Sequence, residues 1–191
     1  MRPTWTEYFM SVVDSISQRS TCDRGKPGCV FVKNNQILTT GYAGSPPGFD
    51  HCDKYGHEME EHIRFVDETI GVNGWPAFND AEIIMQVRKD THTYNSAKSR
   101  YEMPPSQHCI RTIHAEQNAI LQAARRGISL DGSMVYVSMT PCRTCTMMLI
   151  SIGVSKIIAK KLYQKAQESI DMLKKANIPI EHLDQTVQQY E

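Results

Sequence analysis

Two short blocks constrain this chain more than anything else in it: His114-Ala115-Glu116, and further on Pro141-Cys142-Arg143-Thr144-Cys145. One imidazole and two thiolates can supply three ligands to a zinc ion. A three-ligand set leaves a fourth position for water, as catalytic zinc sites do and sealed structural sites do not. Glu116 is left over, and a carboxylate beside such a water is placed to move protons. Pro141 favours the first turn of a helix, where Cys142 and Cys145, three apart, share one face at the positive end and have their thiol pKa values lowered. His114 also stands at a predicted helix start. Two helix starts meeting across a sheet edge would bring the three ligands to one point.

The periodicity around these blocks is that of an α/β chain. Thr4 to Arg19 carries Trp5, Tyr8, Phe9, Val12, Val13 and Ile16 at helical spacing, with Thr4 as N-cap and the aromatic stripe read as core packing. Gly28–Val32 and Gln36–Tyr42 read as strands joined in a hairpin at Lys33-Asn34-Asn35, with Cys29 a buried, inert thiol. A helix is expected over 114–126 ending at Gly127, with Ala115, Ala119, Ala123 and Ala124 as its close-packing face. A strand over 133–138, a helix over 141–152 and a strand over 156–160 follow, then a helix over 164–177 stopped at Asn177 and a last strand over 178–183. The expected fold is a mixed central sheet of about five strands flanked by helices in an α/β/α arrangement. Length favours a single domain over 1–191 with an insertion at about 53–108. Within that insertion Met59, Ile63, Val66 and Ile70, and then Ile83, Ile84 and Val87 after Asp80, predict helices. Gly71 to Pro76 separates them and Met103 to Ser106 ends the insertion.

Composition limits the function classes. Lys plus Arg equals Asp plus Glu at 21 each, so no net field draws the chain onto a long polyanion. A mononucleotide remains within reach, because a few local cations and amides hold one phosphate. Met1 to Ser20 has polar residues interrupting every apolar group, so neither a secretory signal nor a membrane span is expected, and a cytoplasmic location is. The six cysteines could pair, but the Cys142/Cys145 spacing beside an upstream His favours metal.

His-x-Glu followed by Pro-Cys-x-x-Cys is the pattern of zinc-dependent nucleobase deaminases. His114 to Ile120, Ser138 to Cys142 and the glycine-rich Gly41-Tyr42-Ala43-Gly44-Ser45-Pro46 together resemble the deoxycytidylate (dCMP) deaminase family, bacterial and phage type. That resemblance implies a cytidine deaminase-like fold and hydrolytic deamination of dCMP to dUMP, the precursor for thymidylate synthesis. His114, Cys142 and Cys145 would hold the zinc and Glu116 would be the catalytic acid-base group. It further implies that the Ala115 amide binds the base O2, that the Thr140 carbonyl accepts from the amine, and that Tyr163 lies near the nucleotide. Where the family has an Asn after the loop Tyr, this chain has Ala43, which leaves dCTP open as a second substrate; Arg24, Lys26 and Ser45 are candidates to compensate. A second, structural zinc is implied at Cys22, Cys52 and Cys109 with His57 as fourth ligand, and His51 and His108 in reserve. Family members are commonly homo-oligomers, often hexamers, switched on by dCTP and off by dTTP. The insertion would serve as a lid, an oligomer contact or an effector site, with Arg88, Lys89, Lys98 and Arg100 able to meet phosphate.

Other readings stay open at this point. A Cys-x-x-Cys alone also suits a thioredoxin-like redox pair, which has no use for His-Ala-Glu upstream. A deaminase acting on tRNA or single-stranded nucleic acid would share the zinc motif but calls for a basic, aromatic-rich surface, which the neutral charge balance does not support. A non-catalytic zinc-stabilised interaction module would need no spare carboxylate such as Glu116.

Overall fold

Helix α1, Trp5–Ser17, opens the chain behind a reciprocal cap: the Glu7 amide donates to Thr4 Oγ1 at 3.2 Å and the Thr4 amide donates to Glu7 Oε2 at 2.7 Å. The computed structural model describes residues 1–58, 93–95, 100–102 and 109–188, the two short segments as backbone only. The hairpin follows as β1, Gly28–Lys33, and β2, Gln36–Tyr42. Asn34 and Asn35 turn it with φ of 52° and 60°, the paired left-handed conformation that tight hairpins use. A single turn of helix, α2, spans Cys52–Tyr55.

The chain divides into two units, Met1–His57 with Arg111–Glu191, and Glu58–Ile110. Within the second unit, β3 (Thr93–Asn95) pairs antiparallel with β4 (Arg100–Glu102). Strands of three residues are too short to carry an alternating signal, so the sequence did not mark them. The helices expected around Met59 to Ile70 and Asp80 to Val87, together with Arg88, Lys89, Lys98 and His108, lie outside the described residues. Arg100 is described through its backbone alone.

In the first unit the remaining elements alternate: α3 (Ala115–Arg126), β5 (Met134–Met139), α4 (Arg143–Ser151), β6 (Lys156–Lys161), α5 (Ala166–Lys175) and β7 (Ile180–His182). They build a five-stranded mixed sheet in the order β2-β1-β5-β6-β7. β1 is antiparallel to both β2 and β5, while β5, β6 and β7 run parallel. Residue alternation divides the core into two layers. Val30, Val32, Tyr136 and Ile158 pack on Phe9, Met10 and Val13 of α1. Cys29, Phe31, Val135, Val137, Ile157 and Ala159 pack on the opposite face against α3, Leu149 of α4 and Leu173 of α5. The expected α/β/α layering is therefore present, and Cys29 is buried as expected.

Some local expectations shift. Of the aromatic stripe on α1, Phe9 is fully buried, whereas Trp5 and Tyr8 remain nearly half exposed, Trp5 stacking over Phe9. Ala124 faces solvent, because the 100° step per residue carries it off the face that Ala115, Ala119 and Ala123 bury. Asn177 ends the helical segment in a left-handed conformation at φ 56°. Among the described residues no helix is long and apolar enough to cross a membrane.

The contact that places α3 is its close approach to β2 at Gly41. A Cβ on Gly41 would run into the Ala115 carbonyl and lie 2.5 Å from the Ala119 amide nitrogen, both backbone atoms that cannot swing aside. Thr39 Oγ1 donates to the Ala119 carbonyl at 3.0 Å and ties the same two elements. Gly41→Ala is expected to destabilise the protein by about 2 kcal/mol, in the range of overpacked cores. Urea unfolding should show a lower midpoint with an unchanged slope.

Candidate active site

Each ligand candidate takes its position from a helix end. His114 is the N-cap of α3 with φ −71° and ψ 160°, and its own amide donates to Gln117 Oε1 at 2.9 Å. Cys142 is the N-cap of α4 with φ −67° and ψ 168°, and Cys145 lies in that helix's first turn. Pro141 thus precedes the cap instead of occupying the first helical position that the sequence suggested. The consequence is that Cys142 lies outside the helical turn and Cys145 within it, so both sulfurs face His114 from different directions.

The separations match a shared cation. His114 Nδ1 is 3.4 Å from Cys142 Sγ and 3.5 Å from Cys145 Sγ, and the three ligand atoms lie within 4.8 Å of one another. A tetrahedral zinc with bonds of about 2.3 Å to sulfur and about 2.0–2.1 Å to nitrogen holds N and S about 3.6 Å apart. The donor set, one imidazole and two sulfurs, is also the soft set that zinc takes. The six cysteines are free thiols, and a redox pair alone would not account for an imidazole nitrogen 3.4 and 3.5 Å from the Cys142 and Cys145 sulfurs.

Cys145 and Glu116 are buried and His114 and Cys142 half-buried, so charges within the cluster act on one another strongly. The hydrogen bond from Cys145, against the cost of burial, brings the Cys142 thiol down to about 4, while the same bond and burial push Cys145 upward. His114 rises to about 8, first through its hydrogen bond to Cys142 and in spite of burial. Glu116 projects from the first turn of α3 and is only 7% exposed. Burial raises its pKa, the His114 charge opposes that rise, and a hydrogen bond with Cys145 places the carboxyl beside the ligands. A buried carboxyl beside three candidate metal ligands, with its pKa raised by burial, is suited to taking and returning a proton.

The other candidates are placed less uniformly. Ala115 is buried at the start of α3, and Thr140, 1% exposed, immediately precedes Pro141. Tyr163 is 9% exposed, and burial followed by the Cys142 charge raises its pKa while Arg24 lowers it, so both groups are within electrostatic reach of its hydroxyl. The glycine-rich loop is tied to the approach to His114: Gly44 and Ile113 exchange backbone hydrogen bonds at 3.2 and 3.1 Å, and Asn118 Nδ2 donates to the Tyr42 carbonyl at 3.0 Å. Within that loop Ala43 is buried, and Ser45 spends its hydroxyl on the Asp50 carbonyl at 2.7 Å. The Ser45 amide donates to Thr21 Oγ1 at 3.3 Å, so its hydroxyl and its backbone are both engaged within the loop.

A second set of soft ligands gathers in the same unit. Cys22 and Cys52 are buried, Cys22 Sγ is 3.7 Å from His57 Nδ1, and the ligand atoms of Cys22, Cys52 and His57 lie within 4.8 Å of one another. Asp23 Oδ1 lies 2.9 Å from His57 Nε2 and so turns Nδ1 toward the sulfurs, an arrangement common around metal-binding imidazoles. Sequence reasoning passed over Asp23, although its place beside Cys22 was the available signal. Cys109 belongs to the second unit, and the reserve residue His51 caps α2 outside this set.

Residues 3–161 match the family model described as the cytidine and deoxycytidylate deaminase zinc-binding region. The deoxycytidylate deaminase of Enterobacteria phage T4 is 32% identical over 171 residues, which cover 86% of this chain and 82% of that protein. The deoxycytidylate deaminase of Saccharomyces cerevisiae is 27% identical over 94% of this chain, and the chain spans 45% of that relative's length. Among solved structures, the dCMP deaminase of cyanophage S-TIM5 in complex with dCMP and dUMP superposes with a TM-score of 0.60 at 25% identity, covering 95% of this chain and 98% of that one. Cobalt(II) added to metal-stripped protein is expected to produce the thiolate-to-metal charge-transfer absorption of a tetrahedral site. Cys142→Ser and His114→Ala should each weaken that binding at least about tenfold; an unchanged titration in either would take that residue out of the ligand set.

Proposed function

This chain belongs to the cytidine and deoxycytidylate deaminase family, and from that membership and the geometry of its site we propose that it hydrolyses dCMP to dUMP and ammonia. The observation that carries the proposal is the buried Glu116 carboxyl beside a His114/Cys142/Cys145 set spaced for one cation. Zinc held by those three residues supplies Lewis acidity that brings the pKa of a water from about 15.7 toward about 7. Everything else falls to the chain. Glu116 takes one proton from the attacking water and delivers it to ring N3, then takes the remaining proton of the hydroxyl now on C4 and hands it to the departing amine, so that oxygen ends on C4 as a carbonyl and nitrogen leaves as ammonia. The Ala115 amide is proposed to hold the base O2 and the Thr140 carbonyl to orient the amine. Tyr163 and Arg24, adjacent in their electrostatics, are proposed to border the sugar and phosphate.

The same proposal includes a structural zinc at Cys22, Cys52 and His57. Cys109 is proposed as its fourth ligand on the family resemblance alone, a tetrahedral structural zinc taking four ligands. It extends to a homo-oligomer, to dCTP and dTTP as effectors and to a cytoplasmic location, all in keeping with the family. A mononucleotide substrate agrees with the zero net charge, which offers nothing to a nucleic-acid polymer.

Incubation with dCMP, dCTP, cytidine and a deoxycytidine oligonucleotide should release ammonia from dCMP foremost; release from the oligonucleotide alone would replace this reading with a polynucleotide deaminase. Glu116→Gln should keep its zinc and lose about 10²- to 10⁴-fold in kcat, the usual worth of general acid-base catalysis. Metal analysis should find two zinc equivalents per chain, falling by one in Cys52→Ser; a single equivalent in both proteins would dismiss the structural site.

A further inference from the structure

The hydroxyl of Thr140, a buried side chain beside the site, has no part in the chemistry above. The Thr140 amide donates to the Lys161 carbonyl at 3.0 Å, and its hydroxyl oxygen accepts from the Tyr163 amide at 3.3 Å. That hydroxyl is also 3.0 Å from His182 Nε2 and 3.5 Å from the Lys161 carbonyl. A buried hydroxyl must donate its proton somewhere. The Lys161 carbonyl lies at the 3.5 Å limit of a hydrogen bond, so His182 Nε2 at 3.0 Å is the better-placed acceptor. Burial pulls the His182 pKa below its ordinary value, which favours an uncharged ring able to accept.

We propose that His182 is a positioning residue: carrying its proton on Nδ1, it accepts the Thr140 hydroxyl proton at Nε2 and thereby fixes the Thr140-Pro141-Cys142 turn against Tyr163. The relay runs from Tyr163 N–H to Thr140 Oγ1 and from Thr140 O–H to His182. It binds the cap that carries Cys142 to the segment that follows β6. His182 itself is anchored on β7 opposite Ala159, and Leu183 and Asp184 continue that attachment by donating to the Ala159 and Lys160 carbonyls at 3.0 and 2.9 Å. The last strand is thereby wired to the turn that presents a metal ligand. A neutral histidine free of such a partner prefers the proton on Nε2, so the relay selects the less common tautomer.

The kinetic consequence rests on the dCMP deaminase reading; the hydrogen bond does not. Nitrogen NMR of imidazole-labelled, zinc-loaded protein near neutral pH should find His182 protonated on Nδ1, and Thr140→Val should return it to the Nε2 form. His182→Leu should lower kcat/KM for dCMP about fivefold to tenfold with zinc content unchanged, as expected when a buried hydroxyl loses its acceptor. His182→Gln, whose amide oxygen reaches the acceptor position, should recover to within about twofold, and His182→Leu should add less than about twofold in a Thr140→Val background. An Nε2-protonated His182 in the parent protein, or a Gln variant no better than Leu, overturns the proposal. A parent protein that releases no ammonia from dCMP would sink the functional reading instead, and the tautomer measurement would still judge the relay.

Discussion

His114 and Cys142 each close the amino terminus of a helix, and the meeting of those two caps, Nδ1 3.4 Å from Sγ, is the contact that the rest of the fold serves. Both helix ends present unpaired amides and positive dipole ends, so thiolate character is favoured where they converge. The sheet sets the meeting point. β5 is antiparallel to β1 and parallel to β6, so the strand sense changes at β5, and the turn to Cys142 leaves from its carboxyl end. Open α/β sheets bind ligands outside the carboxyl ends of their strands, and Tyr163 follows the carboxyl end of β6 on the same side as the turn to Cys142.

Holding α3 at the right height is the task of small residues. Gly41 lets the α3 backbone come against β2, and the buried Ala115, Ala119 and Ala123 continue that close approach along the helix. The bridge between Gly44 and Ile113 then draws the glycine-rich loop to the residue that precedes His114. A helix packed this closely leaves little room for water around Glu116, whose burial is the source of its raised proton affinity. Packing and chemistry are thus linked through one backbone contact.

Hydrogen-bond partners one layer out from the ligands recur in both clusters. Asp23 holds one ring nitrogen of His57 so that the other faces Cys22, and His182 stands behind Thr140 ahead of Cys142. In each case an imidazole is fixed in tautomer and direction by a partner on its other side or by a hydroxyl proton. Such partners carry no motif of their own, since many carboxylates, hydroxyls and rings could serve if the chain brought them near.

The primary structure singled out His114, Cys142 and Cys145, which the fold brings together with the Glu116 carboxylate beside them, and it marked the hairpin and the alternation of helix and strand from Thr112 onward. It could do so because these are local facts: residue type, short spacing and the 3.6 or 2 residue period are visible within a few turns of chain. Its misreadings were also local, Pro141 standing before the cap and Ala124 facing out, where one residue of phase is below the resolution of a pattern. Tertiary structure alone decided that Gly41 lies on Ala115 and Ala119, that the Tyr163 amide reaches Thr140 Oγ1, and that His182 reaches the same hydroxyl. Those contacts join residues far apart in the chain, and which of them meet depends on strand order and helix packing, which no single stretch of sequence encodes.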